Sequence, residues 1–336
     1  MIGSAASNLL DPAVLFFVLG AGIGLLRSNL EIPSALARFL TLYLLIALGL
    51  KGGAALSTGG LPAEGILAIG AAMGMATFVP AYAFYLLSRR IDPFDSAAIA
   101  ATYGSVSAVT FITAQQFLTA RDVDFGGYMT VAMVLMETPA IIMAVFLATM
   151  VRSRQAVAKA ASAPEYDEAF EPLSTREVLR EALTDGAQLV LIGSLVIGYL
   201  AGTEGKEELL PFTSGIFKGM LAFFLLEMGL LVGRQISEGR AKLDKALFAF
   251  SFLSPPVNAA IALVLAYMIG LQVGDAVLLA ILASSASYIV VPAVVRYAIP
   301  EARPGVYFTM ALGLTFPFNI LIGIPLYFAA AEYVWP

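Results

Sequence analysis

Two short serine motifs, Gly104-Ser105-Val106-Ser107 and Ser284-Ser285-Ala286-Ser287, stand at matched places 180 residues apart. Small side chains let backbone amides approach a ligand, and each hydroxyl both donates and accepts a hydrogen bond. Such a set suits a compact oxyanion; it supplies no nucleophile with a base beside it. Around the first motif, Thr102, Tyr103 and Thr110 offer oxygens to a small cation such as Na⁺. Glu137, in Met136-Glu137-Thr138-Pro139, adds a carboxylate inside an apolar run, where ionisable groups are costly and functional by default; Pro139 is expected to break its helix. Glu227 lies inside another such run and fits either a role of this kind or pairing with a neighbouring helix. Tyr288 directly follows the second motif, while Asn258 after Pro255-Pro256 and Asn319 after Pro317 are placed to bond backbone groups those prolines free. These three are candidates for shaping the site.

The elements that must position these residues are two stretches, 95–116 and 275–296, each with the apolar background of a membrane span and a polar, small-residue centre. In the first, β-branched residues and Gly104 weaken helix continuity; in the second, Pro292 cannot donate to the helix ladder. A helix broken at the bilayer centre exposes N–H groups at one half-helix and C=O groups at the other, the former suited to an anion and the latter to Na⁺. Either stretch alone also reads as a helix with small residues for close packing. Two interrupted segments in corresponding places favour a binding site at the midplane, where the fourth and ninth spans cross.

Composition sets the frame. The chain of 336 residues is 60% hydrophobic and 13% charged, more apolar surface than a soluble domain hides, so an all-α polytopic membrane protein is expected. Apolar runs give ten spans, at 12–27, 34–50, 62–88, 94–118, 126–151, 186–201, 213–233, 243–270, 274–298 and 305–333, the first and sixth short enough to be tilted or interfacial. There is no Cys and no His, which removes disulfides, thiolates and the usual metal ligand and general base. An intramembrane hydrolase would need a Ser–Lys pair or facing aspartates at depth. Lys51, Lys206 and Lys218 lie towards span ends, and Asp95 and Asp275 open spans from opposite sides. No enzyme, cofactor, transition metal or nucleic-acid partner is expected. The 11 residues before the first run contain no Lys or Arg, so no cleaved signal peptide is expected.

The duplication extends beyond the serines. Leu45, Gly49, Leu50, Gly53 and Gly59 recur as Leu225, Gly229, Leu230, Gly233 and Gly239, and Tyr128, Thr130, Ala132 and Leu135 recur as Tyr307, Thr309, Ala311 and Leu314. Five spans is an odd number, so the second copy enters from the opposite side, an inverted repeat with crossing helices four and nine. The expected division is 1–151, a polar cytoplasmic linker at 152–184, and 185–336. Ten spans put Lys51, Arg121, Lys206 and Lys218 on one face and every other Lys and Arg on the opposite one. The basic face is expected to be cytoplasmic and both termini external. The linker holds an acidic stretch from Glu165 to Glu171 and a capping-box pattern, Ser174 to Glu177, opening a short helix. It reads as a solvated tether or as a docking surface for a regulator.

The chain resembles the SbtA-type sodium-dependent bicarbonate transporters of cyanobacteria. The similar stretches are Tyr103-Gly-Ser-Val-Ser-Ala-Val-Thr110, Glu137-Thr-Pro-Ala140, Ala283-Ser-Ser-Ala-Ser287 with Pro292, Arg296-Tyr-Ala-Ile-Pro300, Thr315-Phe-Pro317 and Ile324-Pro-Leu326. The likeness covers nearly the whole chain and is weakest in the first three spans. It implies a gate of spans one, two, six and seven and a core of the rest, an elevator-like movement, a homotrimer in a bacterial inner membrane, and a PII-like cytoplasmic partner. It also implies bicarbonate or a similar small anion as substrate and Na⁺ as the coupled ion. The chain departs from the family in two places: Tyr288 stands where the family carries an acid, and Glu137 where it carries Asp.

Overall fold

The computed structural model describes residues 11–162, 186–238, 243–288, 291, 294–295 and 298–335. Among them the chain is helix and turn. The helices are α1 (Pro12–Leu25), α2 (Ser34–Gly59), α3 (Ala63–Leu87), α4 (Pro93–Gly104), α5 (Ala108–Thr119), α6 (Tyr128–Ser162), α7 (Gly186–Glu208), α8 (Phe217–Glu238), α9 (Lys245–Ile269), α10 (Val273–Ser284) and the composite α11 (Pro304–Val334). Seven units are long and apolar enough to cross a membrane, counting α4 and α5 together. Shorter apolar helices occupy the first, sixth and ninth places. The 14 residues of α1 rise only about 21 Å, less than the ~30 Å of a hydrocarbon core.

Helices α1, α2, α7 and α8 pack chiefly on one another, α2 on α7 and α1 on α8, through glycines. A Cβ at Gly49 or Gly53 would collide with the α7 backbone at Leu191 or Leu195; one at Gly229 or Gly233 would collide with the α1 backbone at Phe17 or Ala21. Gly49 and Gly53 and their counterparts Gly229 and Gly233 thus serve the same kind of close approach, whereas Gly59 faces open space. A second body contains α3 to α6 and α9 to α11, with α3 packed on α4 and α6, and α9 on α10.

The helix break expected at Pro139 is absent, and the paired prolines of α9 make none either. Glu137 and Pro139 lie inside the continuous helix α6, and Pro255 and Pro256 lie inside the continuous α9. A proline deletes one ladder donor, and burial among neighbouring helices lets the helix run on through it. α11 accommodates its prolines differently, through π-helical turns at Thr309–Thr315 and Asn319–Gly323. The linker expected from residue 152 begins as helix, since α6 continues to Ser162. The capping box at 174–177, Pro292 and Gly239 lie outside the described residues.

Candidate functional site

Both serine motifs lie where a helix stops in mid-bundle. α4 ends at Gly104 and Ser105 is extended (φ −106°, ψ 175°); α10 ends at Ser284 and Ser285 is extended (φ −85°, ψ 167°). Gly104 is required there because a Cβ would run into the ring of Pro80 on α3. The chain restarts at Ser107, whose hydroxyl accepts from the Thr110 N–H at 3.2 Å and caps α5.

The two breaks meet. The Ser287 N–H donates to the Thr102 carbonyl at 2.9 Å, and the Ser107 N–H donates to Ser285 Oγ at 3.2 Å. Gly104, Ser105, Val106, Ser107, Ser284, Ser285, Ala286 and Ser287 are all buried. Ser105 Oγ and Thr110 Oγ1 are buried with no hydrogen-bond partner, and the buried Tyr288 hydroxyl lies beside Ser107. The amides of Ala108 and Val109, in the first turn of α5, precede its hydrogen-bond ladder. Unengaged hydroxyls and the start of a helix therefore lie within the stretch 105–110, a combination of the kind that suits an oxyanion.

The cation candidates divide. Thr110 keeps an unengaged hydroxyl at this crossing. The Thr102 hydroxyl donates to the Ala98 carbonyl at 2.8 Å within its own helix. The Tyr103 hydroxyl lies 2.6 Å from Thr315 Oγ1, which donates to the Ser251 carbonyl, and its ring packs edge-on against Phe250. Tyr103 is thus turned towards α9 and α11. Glu137 is buried in α6 with 6% of its surface exposed.

Among the site-shaping candidates, Asn258 bonds side chains and not backbone groups: its Oδ1 accepts from the Tyr82 hydroxyl at 2.6 Å and its amide faces Ser254 Oγ. The carbonyl that Pro255 frees, that of Ser251, accepts instead from Thr315 Oγ1 at 3.0 Å, so Asn258 does not serve it. Asn319 does bond backbone, donating to the Ser284 carbonyl at 2.9 Å, so it caps the open end of α10. Tyr288 packs on Phe316 and Phe316 on Phe17 of α1, with centroids 5.3 and 5.6 Å apart. That aromatic ladder between the two bodies was not foreseeable from Phe17 and Phe316, which look like ordinary lipid-facing bulk. Glu227 on α8 has one buried oxygen without a partner, and its charge reaches Tyr288.

The aspartates that open the two stretches hold the crossing in place. Asp95 accepts from the backbone N–H and the guanidinium of Arg303 at 2.8 Å each. Asp275 accepts from the Gly126 N–H at 2.7 Å and the Tyr128 hydroxyl at 2.5 Å. Each half-helix is therefore anchored to the loop or helix start that precedes the last span of the other half.

The family model described as the Na+-dependent bicarbonate transporter superfamily matches residues 12–332. No curated protein matches the chain.

Proposed function

The chain belongs to the Na+-dependent bicarbonate transporter superfamily, and on that premise we propose that it imports bicarbonate together with Na⁺. The observation that carries this reading is the meeting of two interrupted helices at which the Ser105 and Thr110 hydroxyls are buried without partners around the start of α5. In this reading the anion sits on those hydroxyls and the first amides of α5. Ser107 and Ser285 hold the crossing together, and Na⁺ takes oxygens around Thr110, with Glu137 adding charge nearby. Moving an anion inward against a negative interior costs about 2.3 kcal/mol per charge per 100 mV, which a co-transported cation offsets.

The two halves act as inverted repeats in a bacterial inner membrane, with both termini external. The body of α1, α2, α7 and α8 serves as the gate against which the rest slides as an elevator. A homotrimer and a PII-like regulator at the cytoplasmic face complete the proposal.

The test is uptake of labelled bicarbonate into proteoliposomes, with Na⁺ replaced by K⁺ or choline at fixed pH and with competing short carboxylates. Uptake should fall sharply without Na⁺, and Ser107→Leu or Ser287→Leu should abolish it while protein still reaches the membrane. Full-rate uptake without Na⁺ would point to a Na⁺-independent carrier on this scaffold. Preferential competition by a carboxylate would replace the substrate, and wild-type rates in both leucine variants would move the site elsewhere.

A further inference from the structure

A cavity of about 290 Å³ opens between α1, α5 and α8, on the side of the molecule where α1 begins and α5 ends. Its walls include Asp11, Val14, Leu221, Thr113, Gln116 and Arg121. At ~30 Å³ per water it holds roughly ten, enough for a small hydrated ion. One wall is the face of α5 that begins at the crossing. Ser107, Thr110, Thr113, Phe117 and Arg121 follow one another at steps of three or four residues, so they lie in one row along the helix. The row is about 20 Å long at 1.5 Å per residue. The innermost cavity residue, Thr113, stands one turn from Thr110, which is fully buried and whose hydroxyl has no partner.

Arg121 is held at the outer end of this row. Its guanidinium donates to the Phe117 carbonyl at 3.2 Å and sits over the Phe117 ring, its Cζ 3.6 Å from the centroid. The carboxylates of Glu332 and of Asp11, which lines the cavity, act on its charge. Asp11 is partly engaged as the cap of α1, accepting from the Ala13 N–H at 2.9 Å. A guanidinium tempered by carboxylates attracts an anion without retaining it, as a waypoint requires and a high-affinity site does not.

We propose that this cavity is the entrance to the crossing, where the Arg121 guanidinium and the Gln116 amide receive a small oxyanion before it passes Thr113 to Thr110 and Ser105. The proposal rests on the transport reading given above and adds the route and the residue that steers the substrate. Charge in a narrow, low-dielectric mouth raises the local concentration of an oppositely charged ligand. Arg121 should therefore govern the apparent affinity more than the turnover.

The native absence of cysteine allows a direct test on the full chain in membranes. Gln116→Cys should react with a membrane-impermeant, negatively charged thiol reagent, and saturating bicarbonate should slow that reaction several-fold. A control at the exposed Thr119→Cys should react with or without bicarbonate. Arg121→Gln should raise KM for bicarbonate about 10-fold at low ionic strength, lower the maximal rate far less, and lose most of that difference in ~0.5 M non-transported salt; Arg121→Lys should restore most of the affinity. The proposal is overturned if Gln116→Cys stays unreactive while Thr119→Cys reacts, if no anion protects it, or if Arg121→Gln leaves KM unchanged. Formate forms a second arm. A wild-type chain that transports no bicarbonate, yet whose Gln116→Cys variant is protected by formate, would sink the bicarbonate reading and leave the entrance standing.

Discussion

At the first break, Ser105 Oγ and Thr110 Oγ1 are buried without partners; at the second, Ser285 Oγ accepts from the Ser107 N–H and the Ser284 carbonyl is taken by Asn319. A strict two-fold relation would send the Ser287 N–H to Ser105 Oγ. It goes to the Thr102 carbonyl instead, and Ser105 is left unengaged. Two motifs with one spacing thus differ in what engages them. The second break holds the crossing together through its own hydroxyl and Asn319, and the first leaves two hydroxyls unengaged. Leaving such groups buried without partners costs about 1–3 kcal/mol each, a cost that binding an oxyanion would relieve.

The largest effect should come from the anchors of the two half-helices. Asp275 is 3% exposed and its partners, Gly126 and Tyr128, are held in place. The side chain of Arg303, which pairs with Asp95, is 70% exposed, so water takes over much of that partner's charge. Asp275→Ala should lose about 3 kcal/mol of stability, and Asp95→Ala about 1 kcal/mol. Thermal unfolding in one detergent compares them, and equal losses would mean that the two anchors are equivalent after all.

Next come the serines. Ser105→Ala removes no protein hydrogen bond, so stability should hold within about 0.5 kcal/mol, while the ratio of maximal rate to KM falls about 10-fold, or ~1.4 kcal/mol. Ser285→Ala strands the Ser107 N–H and should cost about 1–2 kcal/mol of stability. Uptake kinetics beside melting curves separate the two, and a Ser105→Ala variant that melts early but transports normally would reverse the assignment. A smaller contrast concerns the cation. Thr110→Val should weaken the Na⁺ dependence of uptake. Tyr103→Phe, which loses the phenol's bonds to Thr315 and Ser251, should leave that dependence intact and cost about 1 kcal/mol of stability; a changed Na⁺ dependence in Tyr103→Phe would put that phenol back in the cation site.

The breaks themselves were legible in the sequence because Gly104 and the two serine motifs are local signals, and a local signal survives any packing. The recurring glycines were legible for the same reason: a close helix approach tolerates only small side chains, so Gly49 and Gly229 mark the same need twice. What the sequence does not carry is the direction of a side chain. Tyr103 and Thr110 looked equally suited to a cation, yet a phenol reaches far from its helix, and this one ends on Thr315. Pro139 looked like a break because the sequence does not reveal which neighbours cover a helix. The asymmetry between the motifs was hidden for a further reason. It depends on which carbonyl the Ser287 N–H meets, and identical spacing in both motifs gives no hint of it.

The smallest effect lies in the loop that ties the halves together outside the crossing. Arg152, near the end of α6, donates to both carboxylate oxygens of Glu301 at 2.8 Å and also to the Ala298 carbonyl. Burial pushes the Glu301 carboxyl up, but its hydrogen bonds and the Arg152 charge outweigh that and leave it below its ordinary 4.5. A carboxyl depressed in the folded chain contributes stability that is complete above the unfolded value and is lost as pH falls through the folded one. With the Glu301 side chain 35% exposed, solvent screening keeps the contribution below about 0.5 kcal/mol. Wild type should therefore melt slightly above Glu301→Gln at neutral pH, and the gap should close on acidification well below 4.5. Arg303 in the same loop behaves oppositely, its guanidinium raised by the hydrogen bond and charge of Asp95, so it stays charged throughout and adds nothing to that titration. A gap that persists unchanged in acid would assign the difference to Arg152 packing over Phe94, whose ring centroid lies 6.0 Å from it, and the loop would then join the halves by shape and not by charge.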